Sequence, residues 1–287
     1  MIYELNKTLK DDEAGVVVTD YLADKTGISK QKIKDALTKG AVWLTRHNKS
    51  RKRLRRAKEE LLKGDRIELF YDENLLARKA KTPVCLHDAQ GYSVWFKPEG
   101  IIAQGNDWCD HLALMRIAEL TLQPKRSGFL IHRLDRETAG LMVIAHRQGV
   151  AAAISREFQL RKVKKFYRAL VRGEAPIKGE VTRKLDGKAA HTLFERVAYD
   201  KANDVSDLRV EILTGRTHQI RRHLNMIGHP VMGDPKYGSD NKNSTGMQLY
   251  AVQLAFTCPI QKRVVTFELS DAFLKEHADA ELTVSHP

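Results

Sequence analysis

Several features that define other protein classes are scarce in this chain of 287 residues. It has three cysteines, Cys85, Cys109 and Cys258, with no C-x-x-C spacing, which argues against a disulfide scaffold and against a thiolate metal site. No apolar run is long enough to cross a membrane, and no signal peptide is recognisable. We therefore expect reduced thiols, a cytoplasmic location and no membrane partner.

Acidic residues are fewer than basic residues. The chain has 36 Asp and Glu against 49 Lys and Arg, which gives a formal net charge of +13. Residues 1–80 alone hold 19 Lys and Arg against 13 Asp and Glu, so this part is the more basic per residue. An excess of positive charge without a membrane-spanning segment favours nucleic acid as the partner.

The length exceeds that of one average domain and predicts a small and a large domain. A stretch of mixed charge around Pro83 has no clear period and is typical of a connection between domains. We therefore place a small domain at 1–75, a linker at 76–90 and a large domain at 91–287.

A charged insert between two apolar runs marks the centre of the chain. Residues 129–131 and 141–145 are long enough for buried strands, so the insert must be a loop at a sheet edge. In that loop Asp135 has Arg133 and Arg136 close by, and guanidinium groups favour a charged carboxylate. A loop aspartate is usually a turn former or a helix cap. A fixed, ionised carboxylate can also act as a nucleophile or an electrostatic stabiliser.

The string HRLDRETAGL, residues 132–141, resembles the central signature of the RluA family of pseudouridine synthases. The resemblance implies that Asp135 is the catalytic residue and that His132 and Arg133 contact the RNA around the target uridine. Ala139 stands where the family generally has Ser, and we expect only a local packing difference there. A strand ending in Lys97-Pro-Glu-Gly is similar to the family's first motif, which supports the active-site wall.

The string KKFYRALVRG, residues 164–173, interleaves cations with aromatic rings, a composition suited to phosphate contact beside base stacking. A strand tyrosine usually packs in the core. The resemblance implies instead that Tyr167 stacks on the target uracil and is a candidate general base. Lys164 and Lys165 are the candidate RNA contacts beside it.

The string GRTHQIRRHL, residues 215–224, matches the family's third motif at every fixed position. Thr214 can cap a helix that presents Arg216 near its start. The resemblance implies that Arg216 pairs with Asp135, that Ile220 forms an apolar floor under the base, and that Arg221 contacts RNA.

Three histidines, His218, His223 and His229, raise the alternative of a metal site. We reject it because Cys and acidic ligands are missing nearby and the spacing is that of the RNA-modifying motif.

The N-terminal region resembles an S4 RNA-binding domain in its order of elements. Ser29 is a plausible N-cap of a short helix that ends before Gly40, a short strand follows, and a Lys-Gly-Asp turn opens an alternating strand. Between Arg46 and Lys58, eight of thirteen residues are cations. Such a run is either a solvated face or an arm that follows phosphates.

The resemblance implies an α+β fold, with a large mixed, mostly antiparallel bent sheet and flanking helices, plus a small N-terminal α/β S4-like domain. It also implies that uridine in structured RNA is isomerised to pseudouridine by base flipping, without a metal or small-molecule cofactor. Ribosomal RNA of the large subunit is favoured over tRNA. Attack at C1′, addition at C6 and a glycal route stay open.

The alternative function is a non-catalytic S4-type RNA-binding or ribosome-assembly protein. That reading explains the charge, but it does not explain the central aspartate with its distant matching arginine motif. We expect a monomer because the RNA supplies the extended partner surface.

Overall fold

The computed structural model describes residues 1–47 and 49–278, and over these ranges the chain divides into two compact units. The first unit contains residues 1–79 and 104–117, and the second contains 80–103 and the chain from 118 onward. No helix in the described ranges is long and apolar enough to span a bilayer.

Residues 104–117 are a correction to the expected division, which placed them in the large domain. Cys109 lies in the apolar core of the first unit, and Asp107 and Asp110 pair with arginines of that unit. Charge and core packing thus assign this segment to the first unit, although 24 residues of the second unit precede it in the chain.

The first unit is a four-stranded sheet with helices. The elements are β1 (Ile2–Thr8), a short 3₁₀ helix (Asp11–Glu13), α1 (Val18–Thr26), α2 (Lys30–Thr38), β2 (Val42–Thr45), β3 (Lys52–Arg53), β4 (Arg66–Asp72) and α3 (Glu73–Ala77). The strands lie in the order β1-β4-β2-β3, and the three pairs are antiparallel.

Local signals in the first unit are confirmed. The Ser29 side chain accepts a hydrogen bond from the Lys32 N–H at the start of α2, which is the expected N-cap. Gly40 follows the helix with φ of 79°, and the Lys-Gly-Asp turn opens β4. Ile33 of α2 and Ile67 of β4 are fully buried in the same core, so the helix packs its apolar face on the sheet.

The basic stretch of the first unit contains two kinds of cation. Four arginines have acidic partners in the same unit: Arg46 with Glu59 and Asp65, Arg51 with Glu68 and Asp107, and Arg53 and Arg55 with Asp110. Four others are exposed and form no ion pair within the described residues: Lys49, Lys52, Arg56 and Lys58. Half of the run therefore stabilises the unit, and half faces solvent.

The second unit is a large, mostly antiparallel sheet. Its strands are β5 (Val84–Asp88), β6 (Tyr92–Lys97), β7 (Phe129–Leu130), β8 (Ala139–Ala145), β9 (Lys164–Arg172), β10 (Lys178–Val181), β11 (Thr192–Asp200), β12 (Val205–Ile212), β13 (Leu249–Thr257) and β14 (Val264–Glu268). They follow the order β10-β11-β12-β9-β13-β8-β6-β5, with β14 beside β13 and β7 beside β8.

Helices flank this sheet, as expected for an α+β fold. They are α5 (Gln148–Gln159), α6 (Gln219–Met226) and α7 (Asp271–Ala278), while α4 (Leu114–Thr121) contains the boundary between the units. Helix α5 packs on β8 and β13, and α6 packs on β11. The loop between β7 and β8 and the start of α6 consequently belong to the same unit.

The central motif continues into the one parallel pairing of the described sheet. Strand β8 pairs with β13 through Ala139 and Gly140, opposite Tyr250 and Ala251. Gly140 has φ of 129°, and a Cβ atom there would collide with the backbone of Ala251. Glycine is needed at this position because two strand backbones approach closely just after the Asp135 loop.

Candidate active site

Asp135 lies in the loop between β7 and β8, as the charged insert predicted, and its side chain is 18% exposed. The flanking arginines are not its partners, which corrects our expectation. Arg136 pairs with Glu137, with 3.0 Å between Nη2 and Oε1. The Arg133 side chain is exposed. The positive charge beside Asp135 therefore comes from elsewhere in the unit.

The guanidinium beside Asp135 belongs to Arg221, not to Arg216. Arg221 Nη1 lies 3.4 Å from Asp135 Oδ2, whereas Arg216 Nε donates to the Ala189 carbonyl at 3.0 Å. Helix α6 begins only at Gln219, so Arg221 falls in its first turn and is 1% exposed. Arg216 precedes the helix, which is why the expected pairing with Asp135 is wrong.

Helix α6 also lacks the predicted cap. Thr214 Oγ1 donates to Gln219 Oε1 at 2.7 Å and accepts the His191 N–H at 3.0 Å. The residue at the N-cap position is His218, in the left-handed conformation with φ of 53°. Thr214 thus holds the loop before the helix, and the helix starts five residues later than it.

A buried aspartate positions Arg221. Asp234 accepts from Nε at 2.7 Å and from Nη2 at 2.8 Å, and also from the backbone N–H groups of Lys236 and Tyr237. Burial alone would raise the pKa of Asp234, but these hydrogen bonds outweigh it and lower the pKa below 3.8. A two-point contact on one side of the guanidinium leaves Nη1 directed at Asp135.

His218 is the second basic group beside Asp135. Its Nε2 lies 3.8 Å from Asp135 Oδ2, and its Nδ1 lies 3.0 Å from the Tyr237 hydroxyl. The two rings meet edge to face, with centroids 5.6 Å apart. The turn 234–237 therefore contacts both groups that face Asp135, because Asp234 binds Arg221 and Tyr237 binds His218.

Tyr167 is buried in β9 and faces the same space. Burial raises the pKa of its phenol well above the usual range, and the negative charge of Asp135 raises it further. Its neighbour Lys165 has its pKa lowered by burial and by Arg161. Lys164 is exposed. The phenol is therefore a neutral hydrogen-bonding group at neutral pH.

His132 belongs to the aromatic wall of the site. Its ring stacks on Phe158 with centroids 4.8 Å apart, and Nε2 accepts the Val143 N–H at 3.0 Å. Burial lowers the pKa of His132 to about 3, with Lys165 adding to the effect. His132 is therefore a neutral ring that fixes the loop to β8.

A cavity of about 490 Å³ joins these residues. Eight of the nine site residues that the sequence predicted line this cavity, and Lys164 is the one that does not. The eight are His132, Arg133, Asp135, Lys165, Tyr167, Arg216, Ile220 and Arg221. Segments as distant in sequence as β9 and α6 thus place their motif residues around one carboxylate.

The three histidines that suggested a metal site have separate partners. His218 contacts Tyr237, His223 lies between Thr192 and Arg183, and His229 contacts the Arg172 carbonyl. In the described ranges, no group of three or more His, Cys, Asp or Glu could hold a metal ion.

Comparison with known proteins identifies the family. Residues 91–226 match the family described as RNA pseudouridylate synthase. An uncharacterized RNA pseudouridine synthase of Mycoplasma pneumoniae is 30% identical over 234 residues, which cover 71% of this chain and 74% of the relative. The chain belongs to the RNA pseudouridine synthase family. It is an isomerase that acts on RNA, and the RluA resemblance is supported.

Other relatives extend the likeness. An uncharacterized RNA pseudouridine synthase of Aquifex aeolicus is 29% identical over 292 residues, covering 87% of this chain and 90% of the relative. The ribosomal large subunit pseudouridine synthase D of Neisseria meningitidis is 32% identical over 204 residues, covering 60% and 54%. The solved human RNA pseudouridylate synthase domain containing 1 has a similar fold, with a TM-score of 0.58, 24% identity and coverage of 70% and 89%.

The sequence analysis of this synthase missed Asp234, Tyr237 and the contact of His218 with Asp135. Asp234 and Tyr237 stand in a turn-rich segment, GDPKYG, that gave no chemical signal beyond its glycines and proline. His218 lies inside the matched third motif, but it was weighed only as a metal ligand. Its place in the motif that also supplies Arg216 and Arg221 was the signal that could have identified it.

Lys97 is a further support of the site. It is fully buried, and Nζ donates to the carbonyls of Pro98, Ile101 and Arg136 at 3.0, 2.8 and 3.4 Å. Burial lowers the pKa of Lys97 to about 7, although nearby carboxylates oppose this shift. Its bond to the carbonyl of the residue after Asp135 holds the Asp135 loop against β6.

Proposed function

We propose that this synthase forms pseudouridine in large-subunit ribosomal RNA and that Asp135 is the reacting carboxylate. The observation that carries the proposal is the Asp135 side chain in a cavity with Arg221 Nη1 at 3.4 Å. The reaction breaks the N1–C1′ bond of uridine and joins C5 to C1′ without gain or loss of other atoms. A carboxylate can attack C1′, add at C6 or assist the glycal route, and each needs Asp135 ionised.

The target uridine has to leave its stack, because a carboxylate inside a cavity cannot reach C1′ or C6 of a stacked nucleotide. Tyr167 offers an aromatic face for the extruded uracil, and Ile220 offers an apolar surface under it. Arg133 is exposed at the same cavity, where its side chain could fill the gap that the flipped uridine leaves in the stack or contact the RNA backbone. These roles use one residue from each of the strings 132–141, 164–173 and 215–224.

Cations around the cavity suit the phosphates on both sides of the target. Lys165 and Arg216 line it, and Lys164 is exposed next to Lys165 on β9. His132 is neutral and packs against Phe158, so it contributes shape and no charge. Contacts of cations with phosphates position the RNA, and the identity of the uridine is read elsewhere.

Ribosomal RNA is favoured as the substrate by two observations. Relatives from Neisseria meningitidis and Nitrosomonas europaea carry the name ribosomal large subunit pseudouridine synthase D. The first unit also has the S4-like order of helix, glycine turn and strands, and four cations of its basic stretch are exposed and form no ion pair within the described residues. We therefore propose that the first unit is an S4-like RNA-binding domain.

Mapping of pseudouridines in RNA from cells with and without the gene tests this function. We expect at least one large-subunit ribosomal position to lose its pseudouridine when the gene is absent. The purified protein should release tritium from that RNA when it carries [5-³H]uridine. Unchanged ribosomal positions together with a lost tRNA position would contradict the ribosomal substrate, whereas no tritium release from total RNA of the deleted strain would contradict the enzyme assignment.

The unpaired cations of the first unit predict the salt dependence of RNA binding. The slope of log K against log salt concentration is negative, and replacing Lys49, Lys52 and Lys58 with Gln should reduce its magnitude by about 2, because each phosphate contact contributes about 0.7–0.9. Filter binding of the ribosomal RNA at several salt concentrations measures this slope.

A variant with the same charge change is the matched control. Lys7, Lys10 and Lys79 are exposed residues of the first unit outside the basic stretch. Their replacement with Gln should leave the slope close to that of the wild type. Equal slopes in the two triple variants would mean that the stretch is only a solvated face.

A further inference from the structure

Pseudouridine formation needs a group that removes the C5 proton, and the buried phenol is poorly suited to that task. Tyr167 is the candidate that the family resemblance suggests. Its phenol lies in β9 next to Asp135, where burial and a negative charge both oppose the phenolate. A neutral phenol can donate a hydrogen bond, but it has almost no basicity at neutral pH. The cavity should therefore contain another proton acceptor.

His218 is a neutral base on the wall of the same cavity. Its imidazole is partly exposed to the cavity, and burial is the main influence that lowers its pKa. The charged groups that face it are Asp135 and Glu137, which raise its pKa, and Arg221 and Lys236, which lower it. The ring is therefore unprotonated at neutral pH and able to accept a proton.

The contacts of His218 occupy Nδ1 and leave Nε2 facing Asp135. Nδ1 lies 3.0 Å from the Tyr237 hydroxyl, and Tyr237 is held by its own backbone N–H to Asp234 at 3.1 Å. When Nδ1–H donates to the Tyr237 oxygen, Nε2 keeps its lone pair. Nε2 lies 3.8 Å from Asp135 Oδ2, beyond direct hydrogen-bond distance but on the reacting side of the cavity.

We propose that His218 is the general base that accepts the C5 proton at Nε2, with Tyr237 as a positioning residue for its ring. This proposal rests on the function proposed above. Once C5 is joined to C1′, the C5–H bond breaks, its electron pair restores the C5=C6 double bond, and the proton moves to Nε2. The Asp135 carboxylate, released from substrate, stabilises the imidazolium. Water then takes this proton and supplies the one that N1 gains.

His218→Asn is the main test because asparagine tolerates the left-handed backbone that this residue adopts. Single-turnover pseudouridine formation should fall about 10²–10⁴-fold, the usual contribution of general acid–base catalysis. With RNA deuterated at uridine C5, the variant should show a larger isotope effect than the wild type. The affinity for RNA should stay unchanged.

Two further variants keep the result interpretable. In His218→Ala, added imidazole should restore part of the rate, with a pH dependence that follows the free base. Tyr237→Phe keeps the imidazole but removes its Nδ1 partner, so the rate should fall less than in His218→Asn. These outcomes separate proton transfer from a structural role.

Other outcomes would overturn the proposal. Wild-type rate and isotope effect in His218→Asn would do so, as would a C5 isotope effect enlarged by Tyr167→Phe and not by His218→Asn. A folded His218→Ala that is inactive and not restored by imidazole would assign His218 a structural role. A wild-type protein that releases no tritium would instead refute the function proposed above.

Discussion

Asp135→Asn should abolish pseudouridine formation and leave RNA binding intact. Asparagine keeps the size of the side chain and can still accept a hydrogen bond from Arg221, but it provides no carboxylate for any of the three routes. We expect the rate to fall by about 10⁴-fold or more, as for other residues on which the whole reaction depends. Tritium release from RNA labelled at uridine C5 measures the rate, and filter binding measures the affinity.

Glu137→Gln is the matched control for this substitution. Glu137 Oε2 lies 3.5 Å from the same Arg221 Nη1, so its removal changes the local charge by the same amount. Most of the activity should remain, because Glu137 does not line the cavity. If Asp135→Asn kept wild-type turnover, or if both variants lost activity equally, the role proposed for Asp135 would be refuted.

Asp234→Asn should destabilise the second unit and also impair the reaction. The carboxylate is fully buried and binds Arg221 at two points, so its loss leaves a buried guanidinium without its main counter-charge. Removing one partner of such a pair costs about 3–5 kcal/mol. Thermal unfolding of the variant and the wild type measures the loss. A freely rotating Arg221 should also lower turnover by weakening its contact with Asp135.

The neighbouring arginine of the same helix offers a direct comparison. Arg222 pairs with Asp186 at 2.8 Å, but that carboxylate is 70% exposed. Asp186→Asn should therefore leave the unfolding temperature nearly unchanged, since water and salt screen the surface pair. Equal effects of Asp186→Asn and Asp234→Asn would contradict the importance of burial for this network.

The same network predicts how stability depends on pH. The pKa of Asp234 lies below its usual 3.8 in the folded chain, so the folded state binds its proton less readily than the unfolded state. Its contribution to stability is complete above pH 3.8 and is lost as the pH falls towards the lowered value. The difference in stability between the wild type and Asp234→Asn should therefore shrink on acidification below about pH 4.

Short-range features were predictable because they depend on neighbouring residues. The N-cap at Ser29 and the strands on both sides of the Asp135 loop are confirmed. The mostly antiparallel sheet, which the family resemblance implied, is confirmed as well. Capping, turn chemistry and apolar spacing act over a few positions, so they are visible in the printed chain. The motifs could likewise be located in sequence without knowledge of the fold.

The partners of the motif residues were less predictable. Arg216 and Arg221 are both cations of one short motif. Deciding which of them faces Asp135 required knowing that α6 begins at Gln219. The N-cap residue is His218, in the left-handed conformation, so the helix begins after it and not at the predicted cap Thr214. Two arginines five positions apart then point to different sides of the chain, one to Ala189 and one to Asp135.

Residue order alone thus established the basic character, the likeness to an RNA-modifying family and the acidic side chain at its centre. The spatial arrangement assigned Arg221, His218 and the turn around Asp234 to that side chain, and it paired half of the basic stretch with acids from residues 104–117 and elsewhere in the first unit. The reason is the large sequence separation between the residues that are in contact. Asp135 and Arg221 are 86 positions apart, and their contact depends on how the strands between them are ordered in the sheet.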